Sequence, residues 1–295
     1  MDGIINVFKP RGITSHDVVG MIRKAFQTKK IGHTGTLDPN ATGVLILCIN
    51  KGTRISEYLL DADKEYIGEL SLGLATDTQD EYGQVIGHSD SIVNENDIRI
   101  AFDKFKGEIY QIPPMYSAIK YRGKRLYELA RDGKIVDREP RKIKIYELDI
   151  INIFDKKILF YVKCSKGTYI RTLCDDIGKA LGTYGYMSYL IRVGVGDFKI
   201  SHSYGMDYIR SLDYGDLKNL ILPIDKGLVH LNSLKVEDKF FKNLINGVKI
   251  PLTKLYAEYN KNESIRIYCQ DMFIGIGKVI KINDQYYIKM SKVFV

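Results

Sequence analysis

The segment that most constrains the fold is "RKIKIYELDIINIFDKKILFYVKC", Arg141 to Cys164, which reads as a β-hairpin with Asp155-Lys156 at its turn. A long antiparallel pair must lie in a sheet with other strands, and the rest of the chain supplies them irregularly. "GIINVF" (Gly3 to Phe8) reads as a short apolar strand stopped by Pro10 and Gly12. "VLILCI" (Val44 to Ile49) is a continuous apolar run, expected as a buried strand, and "KEYIGELSLG" reads as a further strand. Helices are expected from Ser15, read as an N-cap, with Val18, Ile22 and Ala25/Phe26 on one face. Further helices are expected around Ile55 to Leu60, over Asp97 to Phe105, and from Thr168 to Gly182. Helices and strands mix without regular alternation, so the expected class is α+β rather than doubly wound.

The last sixty or so residues differ in character. A helix near Phe240 to Leu244 is followed by "NGVKIP" and the short strands "SIRIYC", "MFIGIGKVIKI" and "YYIKM", a compact β-rich module with a boundary near Asn232. The expected division is therefore 1–232 and 233–295. At 295 residues the chain is long enough for that division. No apolar run approaches the ~18 residues needed to span a bilayer, and the N-terminus lacks the features of a secretory signal. Cys48, Cys164, Cys174 and Cys269 form no zinc spacing and are read as buried or free thiols in a reducing cytoplasm; no metal is implied.

The net charge of +8 is unevenly spread. From Lys120 to Lys144 there are ten Lys/Arg against four Asp/Glu, with Tyr116, Tyr121 and Tyr127 in or just before the stretch. Cationic side chains interleaved with aromatics suit a polyanion with exposed bases, and equally a solvated, salt-laced surface.

Between helix and central strand lies "GHTGTLDPNATG" (Gly32 to Gly43), with three glycines and one carboxylate, Asp38. It is neither a P-loop nor a dinucleotide-binding fingerprint. Asp38 fits an Asx turn before Pro39, or a chemical role that needs a charge. "ATDTQDEYG" (Ala75 to Gly83) lacks the register of a calcium loop and reads as a solvated turn. Arg171 has a bland partner four residues on, Asp175, or else clamps a carboxylate elsewhere. Tyr66 is a packed strand aromatic or a platform for a splayed-out base with a phenol available for proton transfer, and His33 is a loop hydrogen-bonder or a neighbour of bound polyanion.

Four segments together resemble the TruB family of pseudouridine synthases: "FKPRGITS", "GHTGTLDPNATGVL", "KEYIGELSLG" with "TDTQDEYG", and "CSKGTYIRTLCDDIG". The C-terminal module more loosely resembles a PUA RNA-binding domain through "NGVKI" and "MFIGIGKV". The resemblance implies a central mixed, mainly antiparallel sheet flanked by helices. It also implies isomerisation of uridine 55 in the T-arm of tRNA, without metal or cofactor. It implies a stand-alone cytoplasmic enzyme, expected as a monomer with no obligate protein partner. A guide-RNA-dependent relative shares the same segments, and a non-catalytic tRNA-folding protein is the rival of another class.

Residue by residue, Asp38 matches the nucleophile, Arg171 the group that holds it ionised and aimed, and Tyr66 the stacking tyrosine. His33 matches the residue that occupies the gap left by the extruded base. Tyr169 and Leu190 match positions lining the uracil pocket, and Lys9 and Pro10 a segment bracing the catalytic loop. The stretch over about 112–144, with Lys120, Arg122, Lys124 and Arg125, corresponds to an insertion that closes over RNA. Where relatives usually read Leu-Arg-Arg, this chain has Leu190, Ile191 and Arg192. That departure implies a missing RNA contact or surface salt bridge, with the chemistry unaffected.

Overall fold

The computed structural model describes residues 1–252 and 263–295. Among them the largest element is a ten-stranded sheet. Its main path runs Tyr204–Gly205, Gly3–Lys9, Thr42–Ile49, Gly185–Val195, Lys64–Leu72, Lys157–Cys164, Arg141–Phe154, Gly107–Gln111. Gly3–Lys9 pairs parallel with Tyr204–Gly205, and Gly185–Val195 pairs parallel with Thr42–Ile49; the other pairings are antiparallel. The α+β, mixed and mainly antiparallel expectation holds. The hairpin forms as expected, with Asp155 at φ 51 in its turn. In the Thr42–Ile49 strand the apolar run from Val44 is buried because both sheet faces are covered: Leu45, Leu47 and Ile49 pack with Val18 and Ile22, and Val44, Ile46 and Cys48 with Ile55, Leu59 and Leu228.

Helix boundaries differ from the sequence reading in instructive ways. Thr14, not Ser15, caps the first helix, Ser15–Ala25, through a capping box with Asp17. Ser15 is thereby freed for a different task, described below. The helix expected from Thr168 begins at Ile170, because Tyr169 is extended at φ −101, ψ 110. Gln111 holds it there: Tyr169 N–H donates to Oε1 at 2.8 Å and Nε2 donates to Tyr169 O at 3.1 Å. Ile170, Leu173, Cys174 and Ile177 seat this helix, Ile170–Ala180, on the sheet. Gly178 permits the contact, since a Cβ there would lie 2.2 Å from Gly185 N. The helix expected around Ile55 to Leu60 forms as Ser56–Leu60 and is preceded by a 3-10 turn, Asn50–Ile55.

The C-terminal residues form a second, five-stranded sheet, ordered Ser233–Lys235, Ser264–Cys269, Met272–Ile282, Gln285–Val293, Ile250–Pro251. It has its own core around Leu244, Ile265, Ile267 and Ile288. It is also docked: Ile276 and Phe294 join the cluster of Ile4, Ile46, Ile55, Leu59 and Leu228 beneath the large sheet. Lys51 Nζ donates to Phe294 O at 2.9 Å, and Arg54 lies 4.9 Å from the Phe294 ring centroid. All four cysteines are buried free thiols. Among the described residues, no helix is long and apolar enough to cross a membrane.

Candidate active site

The glycine-bearing loop leaves the sheet after the short strand Ile31–His33 and re-enters it at Thr42. It is pinned from below. Ser15 Oγ accepts from Leu37 N–H at 2.9 Å and donates to Leu37 O at 3.1 Å. Lys9, fully buried, donates through Nζ to Pro10 O at 2.9 Å, Ile13 O at 2.7 Å and Pro39 O at 2.9 Å. Burial pushes the Lys9 ammonium down to about 8, with the Asp38 charge pulling the other way. Leu37 and Ala41 are buried in the core. The residues on either side of Asp38 are thus fixed, while its own side chain stays 39% exposed.

Both Asp38 oxygens turn to Arg171. Nε approaches Oδ2 at 3.0 Å and Nη2 approaches Oδ1 at 3.3 Å, a two-point clamp. The carboxylate is thereby turned away from its own loop, against the Asx-turn reading; the turn closes instead through Ala41 N–H to the Asp38 backbone O at 3.1 Å. Burial pushes the Asp38 carboxyl above the ordinary carboxylate range; Arg171 opposes it, Asp80 adds to it and Lys9 opposes it. Water nonetheless reaches 39% of the side chain, and that access, with the bidentate clamp, supports the charge.

Arg171 itself is held by two further carbonyls, Nη1 to Thr78 O at 3.1 Å and Nη2 to Tyr116 O at 2.8 Å, and Asp80 lies 3.6 Å away. The 75–83 segment is therefore not the solvated turn expected. Thr76 and Thr78 hydroxyls each donate to Asp80 at 2.7 Å, and Gln79 bonds Asp175 and Thr172 at 2.8 Å, docking the loop onto the Arg171 helix. Asp175, the bland partner expected for Arg171, instead pairs with Lys179 at 2.6 Å. Among the described residues, no three His, Cys, Asp or Glu side chains gather as a metal would require.

Tyr66 and Arg192 face one another across the Lys64–Leu72 and Gly185–Val195 strands, and Leu190 stands opposite Gly68 in the same pair. Tyr66 is 8% exposed, and burial pushes its phenol up to about 12, with Arg192 working against that rise. Tyr169 flanks the clamp from the turn before Arg171; burial raises its phenol too. His33 accepts from Gly35 N–H at 3.4 Å, and burial with the nearby Arg192 charge lowers its pKa, leaving the ring neutral near pH 7. Asp38, Arg171, Tyr66, Tyr169, Leu190 and His33 therefore belong to one neighbourhood, with Lys9 and Pro10 beneath it.

Lys120, Arg122, Lys124 and Arg125 lie apart, on the small hairpin Lys120–Tyr121/Lys124–Arg125. Among the described residues none of the four is in an ion pair; Arg122 sits 5.4 Å from the Tyr121 ring and Arg125 5.8 Å from Tyr127. Through Tyr116 O the segment leading into this hairpin touches the clamp. A cavity of about 430 Å³ lined by Tyr58, Asp63, Glu65, Asp197 and His230 shares none of these residues.

The sequence reading missed Asp80 and Arg192. A lone arginine at an inward position of the apolar strand "YLIRVGV" was the available signal for the second. Ile191, the departure noted in the sequence, pairs with Thr42 and Ile67 and, by strand alternation, faces away from Tyr66.

A family model described as TruB family pseudouridylate synthase (N terminal domain) matches residues 23–170, and one described as tRNA pseudouridylate synthase B C-terminal domain matches residues 171–229. A tRNA pseudouridine synthase B from Alkaliphilus oremlandii is 43% identical over 296 residues, covering 99% of this chain and 98% of that protein.

The chain belongs to the TruB family.

A second TruB relative, the tRNA pseudouridine synthase B of Clostridium kluyveri, is 43% identical with 100% of both chains covered. In three dimensions the TruB chain is similar to a chain of a Cbf5-Nop10-Gar1 complex, at TM-score 0.76 and 30% identity, covering 99% of this chain and 85% of that one. That likeness carries the pseudouridine-synthase fold for this TruB member.

Proposed function

We propose that this chain is a stand-alone tRNA pseudouridine synthase that converts uridine 55 in the T-arm to pseudouridine. The observation that carries the proposal is the Asp38 carboxylate, the lone acid of its loop, held at two points by Arg171 beside Tyr66, Tyr169 and Leu190. The reaction breaks the C1′–N1 bond, turns the uracil and rejoins it through C5. The C5 hydrogen leaves as a proton and N1 gains one, so no electrons are exchanged and the chemistry calls for no redox cofactor. Asp38 opens the sequence, either by attack on the nucleoside or by assisting base departure. Arg171 keeps the carboxylate ionised and aimed, and Tyr66 stacks on the flipped base and offers its hydroxyl for proton transfer. Tyr169 and Leu190 line the base pocket, and His33 fills the gap the base leaves. Flipping costs a few kcal/mol, which contacts to the folded T-arm must offset.

Lys120, Arg122, Lys124 and Arg125 serve as phosphate contacts; their freedom from ion pairs supports this. The proposed domains are 1–232 for catalysis, with an RNA-binding insertion over about 112–144, and 233–295 as a PUA-like RNA-binding module. The separate sheet and core of the latter support that division. Monomeric, cytoplasmic action without a protein partner is favoured over guide-dependent action. The synthase B relatives match end to end at 43% identity, against 30% for the Cbf5 chain, of which 85% is covered. The test is to incubate one tRNA transcript with the purified protein alone and map pseudouridine. A single product at position 55 is expected; no product, or product only with added guide RNA or protein, overturns the proposal.

A further inference from the structure

Arg192 carries a guanidinium sealed inside the fold at 2% exposure, and among the described residues no carboxylate pairs with it. A buried cation without a counter-charge is costly unless its donors are all satisfied. Here Nε donates to Val44 O at 2.7 Å and Nη2 to Gly35 O at 3.1 Å, and Tyr66 stands directly opposite the same residue in the neighbouring strand. These partners are functionally assorted: Gly35 belongs to the Asp38 loop, Val44 to the strand leaving it, and Tyr66 to the opposite wall. The strand bearing Arg192 is also pressed against the loop exit. Gly43 sits at φ +106, and a Cβ there would lie 2.2 Å from Arg192 O. One buried fork thus ties the Asp38 loop to the strand position that faces Tyr66.

We propose that Arg192 is a positioning residue that fixes the Tyr66 hydroxyl relative to the Asp38 loop and donates to its oxygen, so that the phenol meets the flipped nucleoside in one orientation. This inference rests on the proposed role of Tyr66. The charge acts in the same sense, since it opposes the rise that burial imposes on the phenol. Lysine could retain the charge but not the fork, because one ammonium cannot span acceptors on three elements in a planar array.

The experiment is a double-mutant cycle with Arg192→Lys and Tyr66→Phe, reading single-turnover pseudouridine formation and tRNA dissociation constants separately. Arg192→Lys is expected to slow the single turnover about tenfold or more while leaving tRNA affinity within about twofold. In the Tyr66→Phe background the same change is expected to cost less than about twofold, because the hydroxyl it acts through is gone. Full additivity of two damaging substitutions overturns the inference and leaves the Tyr66 reading intact. A fully active Tyr66→Phe overturns both, and a fully active Arg192→Lys overturns the inference alone. If Arg192→Lys does not fold by circular dichroism, Arg192→Gln replaces it in the cycle. Failure of both to fold makes Arg192 a structural residue only and refutes the proposal.

Discussion

Replacing Asp38 by asparagine separates the chemistry of this site from its architecture. The loop depends on bonds that the substitution does not touch: Ser15 to Leu37, Lys9 to Pro39 O, and Ala41 N–H to the Asp38 backbone O. The lost ion pair is 39% open on the aspartate side, so screening holds its stabilising share to roughly 1 kcal/mol at most. Linkage acts in the other direction. The folded-state pKa lies above the ordinary aspartate value of 3.8, so the folded chain binds the proton more tightly and the ionised form is a net cost above that range. The neutral amide removes this cost. Arg171 keeps Thr78 O and Tyr116 O, so its own position is preserved. The melting temperature should therefore stay within about 2–4 °C of wild type or rise. Activity should fall by ~10⁴ or more, as for removal of an essential nucleophile, while tRNA affinity holds or tightens. Release of tritium from tRNA labelled at uridine C5 reports turnover, and filter retention reports binding. Near-normal tritium release would refute the nucleophile; a melting temperature lowered by more than about 4 °C would show that the carboxylate supports the loop.

Lys9→Met should alter the pH dependence of stability. The wild-type ammonium titrates at about 8 when folded, against an ordinary lysine value of 10.5 when unfolded. Between these values the unfolded chain holds the extra proton, so wild-type stability should rise with pH relative to the variant. The gain is at most ~3 kcal/mol, and parallel urea midpoints across that window would contradict it. Phe294→Ala should cost ~3 kcal/mol, since the ring fills the cluster beneath the large sheet, and should speed hydrogen exchange over Asn50–Leu60. Unchanged exchange there would mean that the C-terminal sheet is not docked through this ring. Removing Lys124 and Arg125 together should flatten the plot of log affinity against log salt by ~1.4–1.8 units if both touch phosphate. An identical slope would return them to solvated surface.

Much of the fold was legible in the chain itself. Alternation and apolar runs located Gly3–Lys9, Thr42–Ile49, Lys64–Leu72 and the three long strands of the C-terminal sheet, and turn residues located the Arg141–Phe154/Lys157–Cys164 hairpin, because these preferences depend on neighbours a few residues apart; the central strand Gly185–Val195 was not read. The loop around Asp38 and the segments resembling the TruB family were legible for the same reason. Helix starts were less so: Thr14 displaced Ser15 as the cap because Ser15 is drawn away to Leu37, a partner 22 residues distant. The partner of Arg171 could not be read from spacing, since Asp175 lies four residues on and Asp38 is 133 residues away; only the family resemblance pointed to Asp38. Only the strand order, which sets Thr42–Ile49 beside Gly185–Val195 and that strand beside Lys64–Leu72, brings loop, phenol and Arg192 together. Arg192 illustrates the limit most sharply. In the chain it follows an isoleucine and resembles a surface charge, yet its bond to Val44 spans 148 residues and is buried. Local sequence sets backbone preference; whether a charge meets water or a carbonyl is decided by which distant strands close over it.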